Sequence, residues 1–545
     1  MQCCSLVSLL QTVFVASIAA ATATAASLAA CKCGPEEKCW PSEDAWASLD
    51  RSLGGRLIKT EPIAKSCYPG AAFDRPECDY VTKRWSDQDF MTSNPIGRPY
   101  PYNITCAPVD YGSGAVPGSC ILGISPRYAV NATERGHILS AMDFAKQNNI
   151  RLVVASTGHD LNGRSDGYGS LEIWLRNYRD GINFHATYAS ANGCKESAWT
   201  GSAIHIDGAY QWRDVYKTAK ANNVIVVGGG RRILEAQVVL ADGRVVTANH
   251  CENRDLFKAM RGGGPGYGVV LSTTVKAYPN VDAVTIAADP CYAGYAYWVR
   301  NFPMPFVGNS TSGYKHGFWA IGKTREEAES AFAPVRAKLQ TQLGTMLSVA
   351  ERYATYDDYW SFFETESGLY DPAGDSSLMT SRLIDRAAVA DTTKVRDAVE
   401  VISGAPEEYV FNTVLLVSGG QVFADGSGES GALSGVNRAW RRSPFAIITA
   451  RGLPKGVSNE VHQVVQHDVT FVKGAALKRL APDTGGYMNE GDRNDPDYIQ
   501  AFYGAQYPDH LAAKMRYDPE GLLYCPTCVG SEDWVERPDA PLCRK

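Results

Sequence analysis

Apolar positions set a regular texture from Thr133 onward. Ile138, Leu139, Met142 and Ala145 recur at helical spacing between Thr133 and Asn149, which predicts an amphipathic helix with Thr133 as its N-cap. Ile150–Val154 follows as a short run that reads as a buried strand. A second helix is predicted over Trp212–Asn222, with Trp212, Val215, Tyr216 and Ala219 on one face. Val224–Val227 is the next strand and ends in Gly228-Gly229-Gly230. Ile233–Leu240 alternates like a strand, Ala241–Arg244 is a hairpin turn, and Val245–Thr247 is the return. Asp255–Met260 reads as a short helix that meets a glycine cluster and re-enters a strand.

The following stretch is less regular. Helical patterning covers Thr324–Leu343 and strand character surrounds Phe411–Leu416, so a mixed α+β lobe is expected. Tyr353, Tyr356 and Tyr359 are spaced as an aromatic stripe on a helix, best read as core packing. Before Thr133 the pattern is different again. Residues 31–120 are rich in Pro, Cys, Trp and Tyr with few periodic runs, and are expected to form an irregular arm tied by disulfides.

A length of 545 residues favours two lobes over one. Leu6–Ala30 holds no charge and drifts from Leu/Val/Phe to Ala/Thr, with A-x-A patterns at Ala21–Ala23 and Ala23–Ala25. It reads as a cleaved signal peptide, with an N-terminal membrane anchor as the competing reading. Of 15 cysteines, seven crowd between Cys31 and Cys120, which fits an oxidising compartment. Sequons at Asn103, Asn131 and Asn309 agree with a secreted glycoprotein. The odd count predicts an unpaired thiol. A net charge of −6 gives no reason to expect nucleic acid or an anionic membrane as partner.

Candidate chemistry concentrates in Ser156-Thr157-Gly158-His159-Asp160-Leu161-Asn162-Gly163-Arg164-Ser165. Small residues and hydroxyls replace bulky ones there, and Gly158 and Gly163 bracket the turn. Glycines let backbone N–H groups face a ligand, and successive N–H groups make a nest suited to a pyrophosphate. A plain glycine turn carrying a loop histidine is the competing reading. The strand ending at Gly228–Gly230 is not a dinucleotide fingerprint, because no helix opens after it.

Gly158-His159 and its surroundings resemble the first flavin loop of the vanillyl-alcohol-oxidase superfamily, specifically its fungal berberine-bridge-like branch. Cys39-Trp40-Pro41-Ser42 before the loop and Gly169–Trp174 after it resemble that branch too, as do Arg261-Gly-Gly-Gly264 and Gly486-Tyr-Met-Asn-Glu-Gly-Asp492. The resemblance implies a two-lobed α+β PCMH-type FAD-binding fold. Its parts are a leader over 1–26, the disulfide-rich arm over 27–120 and the FAD domain over 121–280. A substrate domain over 281–480 and a flavin-covering segment over 481–545 complete it. It implies FAD bonded covalently through His159, held by Ser156, Thr157, Gly158, Asp160, Gly163, Arg164, Ser165, Gly262, Gly263, Gly268, Val269 and Asn489. Tyr487 would take the substrate's proton. The implied activity is an oxidase passing hydride from a small organic substrate, a secondary metabolite or alternatively a carbohydrate, to flavin and then to molecular oxygen. A secreted monomer with no metal is expected.

Departures also stand in the chain. Pro265 occupies a position where relatives carry glycine, and it removes one N–H. Relatives usually have glycine where Cys528 stands, so Cys525 is expected to be structural and Cys528 the odd thiol. In relatives the strand equivalent to Val224–Val227 leads into a second glycine-rich flavin loop. Here Arg231-Arg232 follow Gly230 directly, and no cysteine lies between Cys194 and Cys251 for a second flavin bond. The alternative is therefore a truncated flavin-fold protein unable to hold FAD.

Overall fold

The structure, a computed structural model, describes residues 31–190, 193–194, 199–228, 233–281, 284–289, 316–343, 352–366, 373–418, 422–423 and 433–545. The leader, Gly229–Arg232, Cys291 and Asn309 lie outside these residues.

The first sheet comprises Leu57–Lys59 (β1), Tyr128–Asn131 (β2), Leu152–Ala155 (β3) and Leu171–Trp174 (β4), in the order β1-β2-β4-β3. β2 and β3 both run parallel to β4, and β1 is the antiparallel edge. The helix Arg135–Gln147 packs on this sheet, burying Ile138, Ala141, Met142 and Ala145 with Leu152, Leu171 and Ile173. The apolar spacing thus finds its partner. Its N-cap is Glu134 rather than Thr133, without a side-chain capping bond. The Thr133 N–H instead meets Nδ1 of His137 at 3.3 Å, so the threonine sits outside the helix.

The second sheet contains Arg179–His185 (β5), Ala203–Gly208 (β6), Val224–Val226 (β7), Ile233–Val239 (β8), Val245–Asn249 (β9) and Val269–Pro279 (β10). Its order is β5-β6-β10-β8-β9, and β7 also pairs with β10. β8 and β9 form the expected hairpin. The helix Trp212–Ala221 buries Val215 and Ala219 against this sheet, and a capping box of Gln211 and Asp214 fixes its start. The helix Arg254–Met260 ends at the glycine cluster and β10 begins at Val269, as the pattern requires.

The second lobe holds two three-stranded sheets. One is β12-β11-β13, from Val284–Asp289 (β11), His316–Ile321 (β12) and Arg352–Tyr356 (β13). The other is β14-β16-β15, from Ser376–Ile384 (β14), Val410–Leu416 (β15) and Phe445–Leu453 (β16). The helix Thr392–Ser403 buries Val395, Val399 and Ile402 with Ile447 and Leu477. The tyrosine stripe does not exist as a helical face. Tyr353 and Tyr356 lie on β13, whereas Tyr359 opens the helix Tyr359–Glu366. Asp358 accepts from the Ser361 N–H at 2.7 Å and starts that helix between the second and third tyrosines.

The arm is more ordered than its composition suggests. It contains the helices Glu43–Ser52 and Arg75–Arg84, capped by Ser42 and Asp74, and it supplies β1. Cys33–Cys39, Cys67–Cys78 and Cys106–Cys120 close short loops within it. Cys31–Cys543 ties the arm to a C-terminal hairpin of Trp534–Arg537 (β17) and Ala540–Arg544 (β18). Cys194–Cys251 and Cys525–Cys528 complete the pairs among the described residues. Cys528 is therefore not the odd thiol. Its turn folds back so that the Cys528 N–H reaches the Cys525 carbonyl at 3.2 Å, bringing both sulfurs together. Among the described residues, no helix is long and apolar enough to cross a membrane.

Candidate functional site

Where β3 ends, the chain has no sheet partner to continue with and turns on its own polar groups. Asp160 organises the turn: its carboxylate accepts from the N–H groups of Asn162 (3.2 Å), Arg164 and Ser165 (3.3 Å). Gly163 has φ +61°, and a Cβ there would meet Arg493 Nη1 at 2.6 Å. Arg493 needs that space because its guanidinium donates to the Asn162 carbonyl at 2.9 Å and also to that of Gly163. Gly158 has φ +74° and faces Gly97 and Pro99. These constraints present Ser156–Asp160 to a cavity of about 630 Å³.

Four walls enclose the cavity. Leu152–Val154 and the loop Ser156–Asp160 form one, with Arg164 and Ser165 behind. Gly268–Thr273 of β10, with Pro265 and Gly266, form the second. Gly208 and Ala209 at the end of β6, with Trp212, close one end; Tyr487, Asn489 and Glu490 close the other, with Leu523–Cys525 beside them. A buried cation holds two walls together: Lys514 Nζ donates to the carbonyls of Gly266 (2.7 Å) and Leu523 (3.2 Å) and pairs with Asp518 at 2.6 Å.

Polar side chains converge at the Tyr487 end. Arg164 Nη1 donates to Asn489 Oδ1 at 3.0 Å, and Asn489 Nδ2 donates to the Tyr487 hydroxyl at 3.3 Å. The Tyr487 backbone is locked to β14 by a pair of bonds with Ser381, and its ring meets Trp440 edge-on at 5.5 Å. The amide and the arginine thus fix the position of the Tyr487 oxygen at this end of the cavity. His159 is exposed to the cavity, with its ring edge-on to Tyr100 at 4.9 Å.

The residues expected from sequence divide accordingly. Ser156, Thr157, Gly158, His159, Asp160, Arg164, Ser165, Gly268, Val269, Tyr487 and Asn489 line one cavity. Gly163 stands behind the loop under Arg493. Gly262 and Gly263 are not among the lining residues. A Cβ at Gly262 would strike the Val436 nitrogen at 2.2 Å, and one at Gly263 would strike His510 Nδ1 at 2.7 Å, so protein neighbours demand these glycines. Glu490, Trp212, Tyr178 and Cys525 line the cavity without having been singled out for it. Glu490 had a signal, since it sits within the same short motif as Tyr487 and Asn489.

The lining fits an aromatic, polar-edged cofactor. One face is apolar, from Leu152, Val154, Val269 and Leu271, while the loop offers hydroxyls and N–H groups. Arg164, which lines the cavity, keeps its Nε buried without a partner among the described residues. Cys33, Glu37 and Cys39 form a compact donor group elsewhere, but the two sulfurs are joined to each other.

No family model matches the chain. The FAD-linked oxidoreductase hmp9 of Hypomyces subiculosus is 52% identical to it, over 94% of this chain and 90% of that protein. The FAD-linked oxidoreductase apf9 of Gibberella fujikuroi is 34% identical, over 97% and 98%. The crystal structure of the VAO-type flavoprotein MtVAO713 from Myceliophthora thermophila C1 matches with a TM-score of 0.89 and 53% identity, covering 95% of this chain and all of that one. The alignment to hmp9 runs over 572 positions, more than the 545 residues present here, so that relative carries residues where this chain has none. The cavity, its histidine loop and these matches agree: the chain belongs to the FAD-linked oxidoreductases of the VAO type, and is an FAD-dependent oxidoreductase by descent.

Proposed function

We propose that this cavity oxidises a small organic substrate, a secondary metabolite in preference to a carbohydrate, and passes the electrons to molecular oxygen. The observation that carries the reading is the row Arg164–Asn489–Tyr487 at one end of the cavity that also presents His159. FAD bound there would supply the chemistry the side chains lack, as an acceptor of hydride from a substrate C–H that can be reoxidised by oxygen with release of peroxide. The chain's own residues do the rest. Tyr487 takes the proton released from the substrate hydroxyl, its oxygen held in place by the Asn489 amide, which Arg164 anchors in turn. His159 is the attachment point for the cofactor. Ser156, Thr157 and Gly158 hold its polar edges, and the aliphatic floor from β3 and β10 excludes water.

Six disulfides among the described residues support an oxidising compartment, and with the uncharged leader they favour secretion. N-terminal sequencing of secreted protein should begin between Ala21 and Ala30; an intact chain in a membrane pellet would favour an anchor. The functional reading is tested by the visible spectrum of the purified protein. An oxidised-flavin band that bleaches anaerobically with one member of a metabolite panel, and returns with peroxide when air is admitted, supports it. Bleaching that air does not reverse would replace oxygen by another acceptor.

A second reading has its own observation. The short sequence between β7 and β8 favours a chain that keeps the reacting end of the site but lacks part of the cradle for the rest of FAD.

A further inference from the structure

Glu490 is the one carboxyl on the cavity wall whose environment offers it nothing. Its Oε2 is buried and has no hydrogen-bond partner among the described residues. Asp160, the other lining acid, is by contrast consumed by three backbone N–H groups of its own loop. The backbone at Glu490 is fixed, because its N–H donates to the Tyr487 carbonyl at 3.0 Å, so the side chain leaves from a closed turn. Gly491 behind it cannot yield, since a Cβ there would meet the Phe502 ring at 2.5 Å. Glu490 is half-buried with Oε2 shut from water; a carboxylate oxygen without a donor is costly there, whereas the neutral acid carries a proton it can share.

We propose that Glu490 works as a neutral carboxylic acid that donates a hydrogen bond from Oε2 to an acceptor, a carbonyl oxygen or ring nitrogen, on the heterocycle bound in the cavity. The inference rests on the flavin site proposed above. Burial pushes the Glu490 carboxyl above its ordinary value, with no opposing charge or hydrogen bond to bring it back. The charged and titratable groups sharing the cavity are His159, Asp160, Arg164, Tyr178, Tyr487 and Tyr524. Of these Arg164 gives Nη1 to Asn489 and Nη2 to the Met488 carbonyl, and no hydrogen bond joins it to Glu490 among the described residues.

Two readouts test this. The first needs no cofactor. A carboxyl raised in the folded state destabilises the fold as pH climbs past the unfolded value, because the unfolded chain releases the proton first. Thermal midpoints of wild type and Glu490→Gln should coincide near pH 4 and separate with rising pH, the variant ending higher. Curves that stay parallel overturn the proposal. The second uses lumiflavin, a ring without a pyrophosphate, titrated into the full-length chain carrying His159→Ala and freed of flavin. Wild-type Glu490 should bind it about tenfold more weakly at high pH than at low pH, Glu490→Gln should bind with no such dependence, and Glu490→Leu should bind weakly throughout. A Gln variant that keeps the pH dependence, a Leu variant that binds as wild type does, or no lumiflavin binding at any pH overturns the proposal. If lumiflavin binds as expected but the unmodified chain carries no FAD, the cofactor reading fails and this one stands.

Discussion

Glu536 and Arg493 form a buried ion pair that reaches the cavity from the far end of the sequence. Arg493 lies over the Tyr102 ring at 4.4 Å and holds the Asn162 carbonyl, while Glu536, on β17, also receives Arg151 at 2.6 Å. The hairpin that carries Glu536 is itself fastened to the arm by Cys31–Cys543. The shape of the histidine loop therefore depends on residues almost four hundred positions away, through two arginines and one carboxylate.

Stability should follow that carboxylate. Burial alone would raise Glu536, but Arg493 and Arg151 hold it down to about 2. A depressed carboxyl gives stability that is present above its unfolded value of 4.5 and is lost as pH falls toward 2. The contribution is about 3 kcal/mol. Glu536→Gln should cost about 3–5 kcal/mol at pH 7, because both guanidinium groups stay buried and unpaired. It should also flatten the acid limb of the stability curve. Denaturant unfolding at pH 7 and pH 3 measures both; an unchanged acid limb would remove Glu536 as its source.

Attachment of cofactor should depend on His159. Its ring is exposed to the cavity on a glycine turn, so little packing opposes approach to a flavin edge. Acid-denatured wild type should keep flavin fluorescence on the polypeptide band, and His159→Ala should lose it. Dye retained by the variant would move the linkage to another residue.

Proton transfer should depend on Tyr487 and, less strongly, on Asn489. Tyr487→Phe removes the acceptor and should lower turnover by about 10²–10⁴-fold with little change in flavin content. Asn489→Leu leaves the phenol but removes the donor at 3.3 Å that positions its oxygen, so a fall in kcat with KM little changed is the diagnostic readout. An unchanged kcat in Asn489→Leu would reduce Asn489 to a structural role.

Much of this was legible from local pattern. Helix and strand positions from Ile138 to Val269 follow from periodicity because each element buries its apolar face on its immediate neighbours. The loop Ser156–Ser165 is readable because its glycines and Asp160 act within ten residues. What escapes is anything fixed by distant partners. Gly262 and Gly263 look like cofactor contacts, yet Val436 and His510 set their size limit. Cys525 and Cys528 look unequal by comparison with relatives, yet a tight turn pairs them. Glu490 shares a motif with Tyr487 and Asn489, but its lack of a partner is set by the packing around it, which no spacing rule reports.

The last expectation concerns the passage from β7 to β8. Both strands run along the same edge of β10: Val226 lies opposite Ala277, and Ile233 lies opposite Val275. Only Lys276 separates those two partners, while Val227–Arg232 separate the strands in sequence. The two strands thus lie on one line of pairing, and a connection between such strands is where a relative can carry many more residues without disturbing the sheet. Three glycines and two arginines cannot preorganise a second set of N–H groups around a pyrophosphate. Each hydrogen bond left unmade forfeits about 1–3 kcal/mol. Arg231 and Arg232 are the available compensation, since guanidinium forks suit phosphate oxygens, but two flexible side chains replace a fixed cradle poorly. The chain as written should therefore purify with flavin well below one per chain. Inserting a glycine-rich flavin loop after Gly230 should raise it toward one, with the thermal midpoint rising alongside. Stoichiometric flavin in the unmodified chain would refute this. Its loss in Arg231→Ala with Arg232→Ala, the fold being intact, would then assign the compensation to the two arginines.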